Sequence, residues 1–293
     1  MRRAGSDVQT RRVRVRGIEM AYEDFGPGSR PLVLVHGFTG SRRDFQWRFE
    51  ALAKIGRVVA LDLRGHGEST NTGDPASYTL DAIAEDLLAF LAATGIEACD
   101  LLGHSMGGMA VLRAALARSD RIASLILMNT SARCPEGLPR ALIELAGRVA
   151  IEAGSLRIAE VMRARAADPN TDRSDADRRL EEQWGDDYWN AWRYPNFRAL
   201  DPFAYGAFGA AMLDQEPLLD RLGEIRIPTT VLVGSGDTGF LAPSDELVRG
   251  IPGARRSVIP DAAHQPQFEN PDAWVAAIEA HLAHARGASF PRS

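Results

Sequence analysis

The stretch Asp100-Leu101-Leu102-Gly103-His104-Ser105-Met106-Gly107-Gly108 decides how this chain is read. An apolar run leads into it, and residues 109–117 leave it with helical composition. A serine between glycines two residues away on either side suits a tight strand-to-helix turn. Small neighbours let the backbone pass closely, the hydroxyl projects out of the sheet, and the helix N-terminus favours negative charge beside it. Gly-x-Ser-x-Gly alone is a weak signal in a chain with 27 glycines. Its position between a strand and a helix gives it weight.

Outward from that turn, short apolar runs recur at residues 32–35, 58–61, 101–102, 125–128 and 230–233. They do not alternate, so they read as strands buried on both faces of a mostly parallel sheet. Helical patterns fall between them. In residues 80–91, Leu80, Ile83, Ala84, Leu87, Leu88 and Leu91 share one face. Near the end, Asn270 is placed to cap a helix that starts at Pro271 and carries Trp274, Val275, Ile278 and Leu282 as its stripe. Upstream, residues 1–10 are a polar tail, and residues 11–25 alternate around Gly17 as a β-hairpin does. The expected class is α/β, with helices on both faces of the sheet.

The rhythm breaks between about Arg133 and Leu222, where no strand-like run appears. A connection of that length needs structure of its own. Residues 138–153, 156–167 and 175–192 are its candidate helices. The expected organisation is therefore an α/β core in two parts, residues 1–132 and 223–293, with an inserted helical cap at residues 133–222.

A serine hydroxyl needs an adjacent base, itself oriented by a third group, to act as a nucleophile. Of the six histidines, His36, His66 and His104 lie in turns at or beside strand ends, and His281 and His284 lie on the terminal helix. His264 sits in a loop between a strand and the final helix, where an open α/β sheet builds its site. Asp237 follows the apolar run 230–233 and gives the chain order Ser, Asp, His. The rival acid, Asp261, is only three residues before the histidine and better suits a turn cap. The run 125–128 is followed by Asn129 rather than a carboxylate, which removes another place for the acid. For the oxyanion, Met106 N–H directly after the serine is one candidate donor. Phe38 N–H, in His36-Gly37-Phe38-Thr39-Gly40, is the other.

The bulk properties exclude several classes. A net charge of −5 and a pI near 5.7 argue against a nucleic-acid surface. Lys54 is the only lysine, and the arginines are scattered rather than clustered, as a coding bias would leave them. Cys99 and Cys134 have no metal-ligand spacing and read as free thiols in a reducing compartment. No apolar segment follows Met1-Arg2-Arg3, and no stretch is long enough to span a membrane. The expectation is a cytoplasmic protein, monomer or homodimer, acting on a small molecule.

Four segments, His36-Gly37-Phe38, the run from Asp62 to Ser69, Gly103 to Gly108, and the Asp237 and His264 loops, together resemble the α/β-hydrolase superfamily. The resemblance extends from about residue 13 to residue 282. It is strongest to the capped branch of small esterases, lactonases and C–C hydrolases. It implies Ser105, His264 and Asp237 as catalytic residues, no metal or organic cofactor, and a structural loop at residues 62–69. Epoxide-hydrolase and dehalogenase relatives carry an aspartate nucleophile, and Ser105 counts against both. Most of the cap's aromatic residues should form its own core. Trp184 and Trp192 are taken as substrate contacts together with Phe38 and Met106, which implies a small-to-medium, largely apolar ester or lactone. The alternatives on the same scaffold are C–C bond hydrolysis of a dienoate or β-diketone, cofactor-free oxygenase or lyase chemistry, and ligand reception.

Overall fold

The computed structural model describes residues 9–117, 119–135, 137–168 and 175–287. Its centre is a sheet of eight strands: β1 (Arg11–Val15), β2 (Ile18–Phe25), β3 (Leu32–Val35), β4 (Val58–Leu61), β5 (Cys99–His104), β6 (Ile122–Met128), β7 (Thr229–Gly234) and β8 (Arg255–Ile259). Their order across the sheet is β1-β2-β4-β3-β5-β6-β7-β8. The β1–β2 hairpin turns at Arg16 and Gly17, and β2 pairs antiparallel with β4. All the other pairings are parallel. The unbroken apolar runs of β3 and β4 have every residue buried, as a sheet covered on both sides requires.

Alternation within these short strands assigns the two layers. Val33, Val35, Val59, Leu61 and Leu101 pack on one face, and Leu32, Leu34, Val58, Ala60 and Leu102 pack on the other. The second face is covered by α1 (Phe49–Ile55) and by a long C-terminal helix. The first is covered by α2 (Leu80–Ala93) and α3 (Met106–Ala117). Thr79 caps α2 by accepting from Ala82 N–H at 3.0 Å.

Between β6 and β7 the chain forms α4 (Arg140–Ala153), α5 (Leu156–Ala166), α6 (Asp175–Trp184), α7 (Tyr194–Ala199) and α8 (Pro202–Leu213). The sequence pattern suggested one helix over residues 175–192. The structure ends α6 at Trp184 and resumes with a wider π-helical turn at Tyr188–Arg193. The break falls at Gly185, whose φ of 55° lies in the left-handed region that glycine enters without a Cβ penalty. After β7 come α9 (Thr238–Gly250), a short α10 (Pro266–Glu269) and the terminal α11 (Pro271–Ala285). Asn270 caps α11 through Ala273 N–H, with Pro271 at its first turn. Its Trp274 is fully buried against the sheet, a position where truncation to alanine typically costs about 3–5 kcal/mol.

The segment from Asp62 to Ser69 is held by ionic and backbone contacts. The buried Asp62 pairs with the buried Arg42 and accepts the N–H groups of Arg42 and Glu68 at 2.7 and 2.8 Å. Removing Arg42 would leave the Asp62 carboxylate buried without its cationic partner, whereas Arg42 also pairs with Glu23 and Glu68.

Candidate active site

The carboxyl ends of β5, β6, β7 and β8 bring the site together. Ser105 follows β5 with φ of 53°, left-handed and strained for a residue with a side chain. Its geometry is fixed from the neighbouring strand. Ser105 N–H donates to Met128 O at 2.9 Å, and Thr130 Oγ1 donates to Ser105 O at 2.7 Å. The two flanking glycines are required by close approach. A Cβ on Gly103 would lie 2.7 Å from Gly108 Cα, and one on Gly107 would overlap the His36 carbonyl oxygen. The turn projects Ser105 toward the loop after β8 that carries His264.

His264 Nε2 lies 3.0 Å from Ser105 Oγ, and His264 Nδ1 lies 2.8 Å from Asp237 Oδ2. The carboxylate can only accept, so Nδ1 carries the proton and Nε2 is left to accept from the serine hydroxyl. The three residues named from sequence therefore form one continuous relay. Asp261 is exposed, with φ of 54°, on the outside of the same loop.

Several residues that sequence reasoning missed hold this relay in place. Asn129, also left-handed with φ of 46°, donates from Nδ2 to Asp237 Oδ2 at 2.5 Å and to Ala263 O at 2.9 Å. Glu269 Oε2 accepts the N–H groups of Ala263 and Gln265, one on each side of His264, at 2.5 and 3.2 Å. His104 Nε2 donates to the His264 carbonyl at 2.8 Å. Burial, reinforced by His264 nearby, holds the His104 imidazole well below its usual pKa, so it serves as a neutral donor. The only sequence signal for any of these was negative: Asn129 stands where a carboxylate was sought.

The first residue of α3 is Met106, whose N–H has no partner within its own helix. Phe38 stands in the loop after β3, next to Gly37, which packs closely on Ser105. That loop is tied down by His36, whose Nδ1 donates to Gly37 O at 2.8 Å and whose Nε2 accepts Leu63 N–H at 3.0 Å. Burial pushes His36 down to about 4, which keeps Nε2 free to accept.

A cavity of about 440 Å³ opens over Ser105, a volume suited to a small-molecule ligand. The core contributes Phe38, Asp44, Phe240 and His264 to its walls, and the helical segment contributes Leu138, Met162, Tyr188 and Trp192. Of the expected substrate contacts, Phe38 and Trp192 line it. Trp184 and Met106 do not. The Trp184 ring packs edge-on against Trp47 and Phe268, with centroids 5.4 and 5.0 Å away. The Met106 side chain is fully buried beneath the turn. The reason for the difference between the tryptophans is the break at Gly185, which ends the helix bearing Trp184 and starts the wider turn bearing Trp192.

The profile of the alpha/beta hydrolase fold family matches residues 30–271. The chain belongs to the α/β-hydrolase family. This hydrolase is 29% identical over 272 residues to the dihydrolipoyllysine-residue acetyltransferase component of the acetoin cleaving system of Cupriavidus necator, a match covering 92% of this chain and 67% of that protein. Several curated relatives are longer proteins, of which the match spans less than half. Among solved structures, a thermophilic esterase from Thermogutta terrifontis superposes with a TM-score of 0.76 at 30% identity, covering 94% of this chain and 99% of that one. The enol-lactonase of Burkholderia xenovorans superposes with a TM-score of 0.78 at 25% identity, covering 93% and 100%. Among the described residues of the hydrolase, no helix is long and apolar enough to cross a membrane, and no cluster of three or more His, Cys, Asp or Glu is placed to hold a metal ion.

Proposed function

We propose that this α/β-hydrolase cleaves a carboxylic ester or lactone through an acyl-enzyme on Ser105. The observation that carries the reading is the relay itself, Ser105 to His264 to Asp237 at 3.0 and 2.8 Å, at the floor of a cavity. Ser105 attacks the carbonyl as His264 Nε2 takes its proton, and Asp237 keeps the imidazole in the required tautomer. The N–H groups of Met106 and Phe38 receive the developing oxyanion, each donor contributing about 2.7–4 kcal/mol to such transition states. His264 then protonates the leaving oxygen, and water releases the acyl group by the reverse sequence.

The helical segment 133–222 acts in this reading as a cap, since it supplies one side of the cavity over Ser105. The apolar walls at Phe38, Leu138, Met162, Trp192 and Phe240 favour a small-to-medium, largely apolar acyl or lactone substrate. Cys99 and Cys134 as free thiols fit a cytoplasmic setting.

Intact mass after exposure to a small fluorophosphonate tests the reading. The expected result is one adduct on the wild type and none on Ser105→Ala or His264→Ala. Folded wild type without an adduct would refute an activated serine. The base-catalysed oxygenase or lyase chemistry of the same scaffold would then take its place.

A further inference from the structure

Asp44 lies in the turn Arg42–Asp44, six residues beyond Phe38, and its side chain is 3% exposed. It also lines the cavity above Ser105. No arginine or lysine comes within ion-pair distance of it among the described residues. Instead its Oδ1 accepts from Trp192 Nε1 at 2.8 Å and from Asn196 Nδ2 at 3.0 Å. Asn196 Oδ1 in turn accepts from Ser41 Oγ at 2.6 Å. The four side chains of this series are all buried. Two of them, Ser41 and Asp44, follow the Phe38 loop, and two, Trp192 and Asn196, belong to the helical segment. The Asp44 carboxylate is packed so closely on Gly40 that a Cβ there would overlap Oδ2.

A buried carboxylate without a cationic partner is a costly way to join two parts of a protein, and an apolar contact would do it at lower cost. What the carboxylate adds is direction. Trp192 is a wall of the cavity, and its indole N–H fixes the ring's rotation only while an acceptor stands at the Asp44 position. We propose that Asp44 is a positioning and specificity-determining residue. It holds Trp192 and the Phe38 loop in one register, so that the cavity seats short acyl groups against Ser105 and excludes long ones.

The inference rests on the ester or lactone reading of the site. Burial raises the Asp44 carboxyl to about 6, against the opposing bonds from Trp192 and Asn196 and the charge of Arg193. Arg193 approaches from the helical segment, and His104, His264 and Tyr188 are the other titratable groups lining the cavity. Above that value the bonds to Trp192 and Asn196 are charge-assisted, and below it they weaken.

The test uses p-nitrophenyl esters of rising acyl length on wild type, Asp44→Ala, Asp44→Asn, Trp192→Phe and the Asp44→Ala/Trp192→Phe double variant, each first checked for fluorophosphonate labelling. Asp44→Ala should raise KM for short acyl esters about tenfold, with kcat changed far less, and flatten the preference for short over long chains. Asp44→Asn keeps only a neutral acceptor for Trp192, so it should hold the preference at the lower level the wild type reaches below pH 6, at every pH. Trp192→Phe should relax selectivity as Asp44→Ala does, and the double variant should be no worse than either single one. Labelled wild type with unchanged length preference in Asp44→Ala, or additive effects in the double variant, would overturn the proposal. An Asp44→Ala chain that fails to fold leaves Asp44→Asn and Trp192→Phe to decide it: unaltered selectivity in Trp192→Phe, or a pH-dependent preference persisting in Asp44→Asn, overturns it. Absence of labelling in the wild type would instead refute the serine-hydrolase reading beneath it.

Discussion

Asn129→Gly isolates what the relay owes to a residue that does no chemistry. The side chain bridges the acid and histidine loops, at 2.5 Å to Asp237 Oδ2 and 2.9 Å to Ala263 O. Glycine accepts the backbone φ of 46°, so the substitution removes the bridge without adding strain at that position. A hydrogen bond to a charged acceptor contributes roughly 1.5–3 kcal/mol. Asp237 keeps its bond to His264, so the loss falls on how rigidly the carboxylate is aimed. If that orientation is needed only as the imidazolium forms, kcat should drop about 10- to 150-fold with KM nearly constant. Steady-state hydrolysis of a short p-nitrophenyl ester, beside a thermal melt, measures both. Asn129→Asp should be worse than Asn129→Gly, because it puts a second carboxylate against Asp237 where a donor stood. A folded Asn129→Gly enzyme with kcat within about twofold of wild type would show that Asp237 needs no such support.

Two further predictions concern the packing and the buried imidazoles. Trp184→Phe should lower the melting temperature, through lost packing on Trp47 and Phe268, and leave KM for short esters unchanged; a KM shift like that of Trp192→Phe would place it in the cavity after all. Burial holds His281 at about 4, down from 6.5, between Thr230 and Ser124 at 2.8 and 2.9 Å. The unfolded chain binds that proton below 6.5 and the folded chain does not, so His281 should cost up to about 3 kcal/mol of stability as pH falls toward 4. His36 and His66, at about 4 and 3, act in the same direction. Urea unfolding at pH 7, 5.5 and 4.5 should show this decline, and His281→Gln should lessen its slope; an unchanged slope would remove His281 from the account.

Backbone chemistry made much of the molecule legible in the sequence. Buried parallel strands announce themselves as unbroken apolar runs, and the strand-to-helix serine turn needs glycines that cannot be replaced without overlap at His36 O. The Asn270-Pro271 helix start is local for the same reason. What stayed hidden depends on contacts between distant segments. Asn129 and Asp237 are 108 residues apart, and Asp44 and Trp192 are 148 apart, with no pattern in either neighbourhood to mark the pairing. Trp184 and Trp192 are alike in sequence, eight residues apart in one helical pattern. One glycine at position 185 separates their fates, and a single glycine in a polar helix is a weak sign of a break.

The helical segment leaves the sheet after β6 and returns in β7, and those two strands are hydrogen-bonded neighbours, with Leu125 beside Thr229 and Met128 beside Leu232. The pairing is parallel, so the segment departs at the carboxyl end of β6 and crosses back to the amino end of β7. The strands it joins keep their register through their own ladder, while the residues between them form the walls that face Ser105. The scaffold thus divides the labour: the sheet holds Ser105, His264 and Asp237 in place, and the crossover between two of its strands shapes the space above them. Met162 can change that space from the crossover alone, whereas Trp192 carries with it the Asp44 carboxylate on which its indole rests.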